Sequence, residues 1–386
     1  MTIADPPVSS PSRRWPRREL NEALRASHTQ AMWCIEPRIL PYEPAPRAWA
    51  WRWDWQTIAQ LARDSAEVGP AREDGGHRVV GCANPGLRRG YGQAVCGATQ
   101  TLWAGIEYLA PHESSRAHRH SPTAIRFAVL PGTIWTTVNG ERCLMAAGDV
   151  IVTPAWAWHD TTNGSDDPAL WLNVVDLPLQ AYLDAQFVED HPLTPRQSVL
   201  DTHASQRAWS TPGLAPQHLP SAVEAGWRGG PDGVVAGPRT AALRYPWPRT
   251  LEALELLRGD GHDPWDGVLL HYTDPLSGGA VSPTMGVAMQ LLPAGFASLP
   301  HRHVHSAVYQ VFEGSGFSVI DGVRMDWRQG DVFALPPWAL HEHHAPHGDA
   351  TLFSVTDRPA VSALGLERVA ERRERQDVRS SFTGEG

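Results

Sequence analysis

The chain has 386 residues, with 34 glycines, 34 prolines and a formal net charge of −9. A domain usually takes about 100–200 residues, so this length predicts two domain cores. The negative charge, without a long run of Lys or Arg, argues against a nucleic acid or an anionic membrane as partner. The N-terminal stretch has no apolar signal core, and no run of 18 apolar residues follows, which together predict a cytoplasmic protein.

The pattern along the chain favours an all-β protein with two barrels and short flanking helices. Gly- and Pro-rich turns between short Val- and Thr-rich segments indicate strands rather than long helices. A helix is predicted at residues 19–25, and the Trp-rich run WAWRWDW at residues 49–55 is interpreted as a strand or an arm packed on a barrel. The predicted divisions are an N-terminal arm (1–98), a catalytic N-terminal barrel (99–178), inter-barrel helices and linker (179–282), a C-terminal barrel (283–359) and a charged tail (360–386).

Two further helices are predicted between the barrels, at residues 179–189 and near residues 251–257, with a Pro- and Gly-rich connection between them. The mixed-charge segment 367–379 is predicted to be a solvated helix or disordered.

An internal repeat supports the two-barrel interpretation. The stretches PHESSRAHRHSPTAIRFAVLPG (111–132) and GDVIVTPAWAWH (148–159) return as PAGFASLPHRHVHSAVYQVFEG (293–314) and GDVFALPPWALH (330–341). The offset is 183 residues at the His-Arg-His motif and 182 at the Gly-Asp-Val turn. Turn signals at Asn139-Gly140 and Asp321-Gly322 predict tight hairpins, and several short antiparallel strands at this spacing favour a jelly roll or small barrel.

Three histidines of the first copy form a candidate metal site. His118 and His120 are two residues apart, so a strand places both side chains on one face. His159 follows on a later strand that can lie alongside. Three neutral imidazoles suit a divalent first-row metal and leave coordination positions for reactants. The competing interpretation is an ordinary pair of strand histidines.

Arg126 lies six residues after His120 in an apolar run, so strict alternation puts it on the same face as the histidines. A buried guanidinium needs a partner. One hypothesis is a substrate carboxylate held by two parallel hydrogen bonds; the other is an ion pair to a local acid on the outer face.

These motifs resemble the cupin superfamily, and two copies resemble a bicupin. Residues 81–178 and 248–359 resemble the gentisate and salicylate 1,2-dioxygenases in particular. The resemblance implies Fe(II) on His118, His120 and His159, with a small aromatic carboxylate and O₂ as reactants and a homo-oligomer, a tetramer, as the assembly. Residues 121–127 contain no Glu, unlike the manganese-binding oxalate-type bicupins.

The same resemblance places five residues at the substrate. Trp103 matches an aromatic pocket position, although a core role is equally open, and Arg126 matches the carboxylate-binding arginine. Gentisate-type relatives usually carry Gln, His and Asp where this chain has Glu107, Thr161 and Asn173. We therefore predict a salicylate whose 5-substituent is not hydroxyl, such as nitro or halogen. Unchanged gentisate specificity is the alternative.

Other functions remain open at this point. A dioxygenase acting on 1-hydroxy-2-naphthoate, another metal-dependent bicupin enzyme such as a decarboxylase or isomerase, and a non-enzymatic ligand-binding bicupin all fit the repeat. The second triad, His301, His303 and His341, is expected to bind metal without ring cleavage, and a purely structural histidine cluster is the competing interpretation.

Overall fold

The computed structural model describes residues 16–68, 78–88, 96–130, 133–209 and 242–384. The chain divides into two compact units between Ala45 and Pro46. The first unit contains the helices Arg17–Ala26 and Met32–Ile39. The helix predicted at residues 19–25 is therefore confirmed.

The second unit consists mainly of strands in two barrels, and the predicted all-β bicupin architecture is confirmed. Each barrel has one sheet that packs against the other barrel, called here its packing sheet, and one that carries its His-Arg-His motif, called its histidine sheet. The first packing sheet has the strand order Arg244–Tyr245, Val150–Thr153, Ala124–Leu130, Ala169–Val175, Trp103–Leu109, Val79–Gly81. The first histidine sheet has the order Val188–Asp190, His118–His120, His159–Asn163, Ile134–Val138, Glu141–Met145, Asp201–Thr202.

The second barrel repeats both sheets. Its packing sheet has the order Trp51–Trp53, Val332–Leu335, Ala307–Glu313, Ala350–Thr356, Gly286–Leu292, Val268–Tyr272. Its histidine sheet has the order Val369–Glu371, His301–His303, His341–Ala345, Ser315–Ile320, Val323–Arg328, Ser380–Ser381, and Phe296–Ala297 also pairs with His341–Ala345.

The helices of the second unit are short connections around the barrels. In the part of the chain that the structure describes, the α-helices of this unit are Trp55–Asp64, Pro85–Arg88, Leu177–Tyr182, Ala204–Ala208, Trp247–Asp260 and Arg358–Ala363, and a 3₁₀ helix spans Ser65–Val68. Trp247–Asp260 confirms the helix predicted near residues 251–257. Among the described residues, no helix combines the length and apolarity needed to cross a membrane.

Two hairpins confirm the turn predictions. Asn139-Gly140 connects Ile134–Val138 to Glu141–Met145 with φ values of 47° and 84°. Asp321-Gly322 connects the matching strands of the second barrel with φ values of 49° and 79°. Two consecutive positive φ angles are what a type I′ turn requires.

The packing sheets meet in an apolar core to which both barrels contribute. Phe127 of the first barrel stacks on Phe353 of the second at a ring-centroid distance of 4.1 Å and meets the edge of Phe312 at 5.2 Å. Polar contacts flank this core in a reciprocal way. Asp176 accepts a hydrogen bond of 2.6 Å from Thr284 Oγ1, and Asp357 accepts one from Thr101 Oγ1.

Each packing sheet is completed by a strand that precedes the other barrel in sequence. Trp51–Trp53 pairs with Val332–Leu335 of the second barrel, and Arg244–Tyr245 pairs with Val150–Thr153 of the first. The Trp-rich run is thus a strand that packs on a barrel, as predicted. The two barrels therefore depend on each other for their edges.

A buried aspartate anchors each exchanged strand. Asp149 accepts hydrogen bonds from Arg244 Nη2 at 2.7 Å and from Trp247 N at 2.8 Å. Asp331 accepts equivalent bonds from Arg52 Nη1 at 2.8 Å and from Trp55 N at 2.9 Å. This contact explains why both repeats carry the Gly-Asp-Val turn.

Two sequence predictions are wrong outside the barrels. The helix predicted at residues 179–189 ends at Tyr182, and Val188–Asp190 then pairs with His118–His120. The tail segment 367–379 is neither helical nor unstructured: Val369–Glu371 pairs with His301–His303, and Ser380–Ser381 pairs with the strand that begins at Val323. Sheet edges stabilise these segments through backbone hydrogen bonds, which local charge composition does not reveal. The predicted Pro- and Gly-rich connection lies partly in 210–241, outside the described residues.

We predict that Asp149→Ala lowers the free energy of unfolding by about 3–5 kcal/mol, because it leaves the mostly buried Arg244 without its carboxylate. Urea unfolding of the full chain measures the change. Asp326→Ala is the control, since Asp326 pairs with Arg324 at the surface with 64% of its side chain exposed. Asp326→Ala should lower the free energy of unfolding by less than about 1 kcal/mol. Equal losses in the two variants would contradict this role for Asp149.

Candidate metal centre

Strand pairing brings the three predicted histidines together in the first barrel. His118 opposes His159 across neighbouring strands, and His120 follows on the same face. The ring centroid of His159 lies 4.2 Å from that of His118 and 4.7 Å from that of His120. The ring centroids of His118 and His120 are 5.5 Å apart. One ring nitrogen from each histidine lies within 4.8 Å of the other two, close enough to share one metal ion.

Backbone carbonyls fix which nitrogen of each ring is available. Nδ1 of His118 lies 2.8 Å from the carbonyl oxygen of Arg116. The same atom of His120 lies 2.7 Å from the carbonyl of Pro122, and that of His159 lies 2.9 Å from the carbonyl of Ala157. A carbonyl oxygen can only accept, so each Nδ1 donates. In a neutral ring Nε2 then has the free lone pair, which is the form that binds a metal.

The environment of His159 fits this interpretation. Only 1% of the residue is exposed, and burial lowers the pKa of His159 well below its usual value, with further lowering from His118 and His120. Its Nε2 is buried and has no hydrogen-bond partner among the described residues. A buried acceptor without a partner costs free energy, and a bound cation removes that cost. The residues present therefore fit a divalent metal.

Arg126 lies inside the same barrel. It is 3% exposed, and its cross-strand partner Ile151 belongs to the apolar cluster of the barrel interior. Nη1 donates to Thr153 Oγ1, whereas Nε is buried and has no partner among the described residues. Burial lowers the pKa of Arg126, and the nearby carboxylates of Glu107 and Asp160 oppose that effect. The guanidinium thus retains an unused donor inside the barrel.

Asn173 opposes Arg126 on the central strand of the first packing sheet. Its Nδ2 donates to Glu107 Oε2 at 3.3 Å, while its Oδ1 is buried without a hydrogen-bond partner among the described residues. Glu107 is itself only 5% exposed. These residues form a polar wall next to Arg126.

Thr161 and Trp103 complete the predicted set. Thr161 lies two residues after His159 on the same strand, and its Oγ1 is 3.1 Å from Thr136 Oγ1. Trp103 is half-buried and lies over two glycines: a Cβ at Gly105 would be 2.6 Å from its Cη2, and one at Gly81 would be 3.0 Å from its Cζ2. The missing Cβ atoms make room for the indole.

Sequence reasoning missed Thr153, because only strand pairing connects it to Arg126, 27 residues earlier. Two other arginines, Arg78 and Arg88, are further candidates for carboxylate binding. Arg78 instead forms an ion pair with Glu113, so its charge is already matched. The Arg88 side chain lies outside the described residues.

Two barrels with a histidine triad inside the first define a bicupin metalloprotein. The Cupin domain family model matches residues 105–175 and 288–356. Gentisate 1,2-dioxygenase 1 of Aquipseudomonas alcaligenes is 31% identical over 91% of this chain and 95% of its own length. A 5-aminosalicylate 1,2-dioxygenase of Comamonas sp. is 34% identical over 74% of this chain and 71% of its own.

A crystal structure of salicylate 1,2-dioxygenase from Pseudoaminobacter salicylatoxidans with gentisate superposes with a TM-score of 0.81. The two chains are 31% identical, and the match covers 97% of this chain and 98% of the salicylate 1,2-dioxygenase chain. The chain belongs to the gentisate and salicylate 1,2-dioxygenase family of ring-cleaving cupin enzymes.

We predict that His118→Ala and His159→Ala remove the metal from the first barrel and abolish turnover, because two imidazoles cannot replace a three-nitrogen face. Elemental analysis and oxygen uptake measure the two effects. His347→Ala, at an exposed position of the second barrel, is the control and should change neither. Full activity in either triad variant would refute the metal assignment.

Proposed function

We propose that this protein is an Fe(II)-dependent 1,2-dioxygenase that cleaves the ring of a salicylate-type 2-hydroxybenzoate, between the carbons that carry the hydroxyl and the carboxylate. One observation carries the proposal: Arg126 has an unused, buried donor inside the barrel that also holds the histidine triad. When bound, Fe(II) supplies the Lewis acidity and the electron transfer that ring cleavage by O₂ requires. The tetramer implied by the family resemblance stays a prediction.

The triad supports the binding of an anionic substrate. Its three imidazoles are neutral, so they leave the charge of a divalent cation uncompensated. A phenolate and a carboxylate on neighbouring ring carbons can supply the missing negative charge. The carbonyl contacts of Arg116, Pro122 and Ala157 hold the three rings in place before the substrate enters. Less ordering is then required on binding.

Arg126 supports the recognition of the carboxylate. Thr153 fixes one edge of the guanidinium, and the buried Nε remains available to a ligand. A carboxylate matches the planar donor pattern of Arg through two parallel hydrogen bonds, and pairing removes the cost of the buried charge. Arg126 therefore binds and orients the substrate, and its side chain transfers no proton.

The polar wall supports selection at the 5-position. The buried Asn173 Oδ1 needs a hydrogen-bond donor, and the neighbouring Glu107 adds negative charge. An amino substituent offers two N–H groups, a hydroxyl offers one, and nitro and halogen offer none. Among the substituents other than hydroxyl, this geometry favours an amino group. The sequence alone instead suggests nitro or halogen, because Thr161 and Asn173 replace the His and Asp of gentisate-type relatives. The resemblance to a 5-aminosalicylate 1,2-dioxygenase supports the amino group.

We predict that Arg126→Ala raises KM by about 10- to 150-fold with the metal still bound, because a charge-assisted contact contributes roughly 1.5–3 kcal/mol. Arg126→Lys should recover only part of this loss. Arg142→Ala is the matched control, since its guanidinium lies 4.6 Å from the Trp135 ring centroid and its strand register puts it on the face opposite to His159. An unchanged KM in Arg126→Ala would mean that another residue holds the carboxylate.

A substrate panel tests the specificity. We expect the highest kcat/KM for 5-aminosalicylate, with gentisate comparable or weaker, in a comparison that includes salicylate, 5-chlorosalicylate, 5-nitrosalicylate and 1-hydroxy-2-naphthoate. Glu107→Gln should lower the preference for amino over nitro by about tenfold, or 1.4 kcal/mol, because a charged acceptor becomes neutral. Gentisate far above all others would refute the specificity but not the dioxygenase. Turnover without oxygen uptake would instead indicate a decarboxylase or isomerase.

A further inference from the structure

The second barrel contains a histidine triad with nearly the same geometry as the first. The ring centroid of His341 lies 4.2 Å from that of His301 and 4.9 Å from that of His303. The ring centroids of His301 and His303 are 5.7 Å apart. One nitrogen from each ring lies within 4.8 Å of the others, and all three residues are at most 7% exposed. The repeat has therefore conserved an arrangement of ligands as well as a sequence motif.

The ring nitrogens of this triad are partly fixed in the same way. Nδ1 of His303 lies 2.8 Å from the carbonyl of His305, and Nδ1 of His341 lies 3.0 Å from that of Ala339. Both Nε2 atoms therefore have a free lone pair in the neutral rings. His301 differs: its Nδ1 is buried without a partner among the described residues, and its Nε2 is 3.7 Å from Asp266 Oδ1.

His343 provides an independent observation. It is 1% exposed and lies two residues after His341, where the first barrel has Thr161. Ser318 Oγ accepts a 2.9 Å hydrogen bond from Trp327 Nε1 and lies 2.7 Å from His343 Nδ1. A hydroxyl oxygen has two lone pairs, so either Ser318 or His343 can donate in this contact, and His343 Nε2 carries a lone pair in one tautomer and a proton in the other. In either tautomer, His343 Nε2 is buried without a partner among the described residues.

A purely structural histidine cluster explains these observations poorly. Native interiors satisfy nearly all their buried polar groups. Here buried ring nitrogens of His301, His305 and His343 have no partner among the described residues. A metal ion at the triad would supply a cation for the lone pairs of its ligands, and a water bound to that metal could pair with His343 Nε2 in either tautomer, as acceptor or as donor.

We propose that the second barrel binds its own divalent first-row transition metal through His301, His303 and His341, and that this metal has no part in ring cleavage. Arg126 and the polar wall next to it in the first barrel are replaced by other residues in the second. Tyr309 opposes Ser354, as Arg126 opposes Asn173, and its ring stacks on Phe333 at 4.7 Å. A phenol cannot pair with a carboxylate as a guanidinium does. Asp266, beside His301, further disfavours an anionic substrate.

Metal stoichiometry tests the proposal in the full chain. We expect two Co(II) equivalents to bind to the metal-free wild type, each with its own ligand-field absorption. His118→Ala should bind one and lack ring cleavage, and His303→Ala should bind one and keep most of its turnover. The double variant should bind none. His347→Ala is the control and should bind two.

If His303→Ala fails to fold, His118→Ala still measures metal binding by the second barrel, because that barrel is unchanged in this variant. A folded His118→Ala chain that binds no Co(II), or a wild type saturated by one equivalent, would overturn the second metal site. Loss of ring cleavage in a folded His303→Ala chain with the first metal bound would overturn its separation from catalysis. Failure of the dioxygenase assignment is distinguishable, since stoichiometry is measured without substrate.

Discussion

The first site depends on one local contact: the hydrogen bond between each histidine Nδ1 and a backbone carbonyl two residues away. The contact selects the tautomer, fixes the ring plane and leaves Nε2 for the metal. In each case the accepting carbonyl lies outside the strand that carries the histidine. In the first barrel, Trp156 N in turn donates to the His120 carbonyl at 2.8 Å, which holds the loop before His159 against the His-Arg-His strand.

The exchange of strands between the barrels connects this site to the rest of the fold. Arg244 and Trp247 anchor on Asp149, which directly precedes the strand Val150–Thr153. That strand ends at Thr153, whose hydroxyl orients Arg126. A segment that precedes the second barrel in sequence thus helps to position Arg126, the residue proposed to bind the substrate carboxylate in the first. Since a stable active barrel needs this exchanged edge, neither barrel is expected to work alone.

The sequence predicts local features well and distant pairings poorly. The repeat, the three histidines and the hairpins at Asn139-Gly140 and Asp321-Gly322 follow from short-range patterns, because side-chain alternation and turn chemistry are local properties. The edge strands at Val188–Asp190 and Val369–Glu371 do not, since an edge forms wherever a neighbouring strand offers free backbone groups. The contact of Thr153 with Arg126 depends on the same strand register. Family resemblance supplied Trp103, Glu107 and Asn173, which composition alone could not distinguish from core residues.

The two barrels place the histidine triads and the proposed carboxylate-binding arginine on different sheets. All six triad histidines lie on the histidine sheets, whereas Arg126, Asn173, Glu107 and Trp103 lie on the first packing sheet. At matching positions the second barrel has Tyr309 for Arg126 and Gln290 for Glu107. Replacing side chains on one sheet leaves the strand pairing that positions the ligands on the other unchanged. A duplicated barrel can therefore lose the proposed carboxylate-binding arginine and keep its histidine triad, because the two groups lie on different strands.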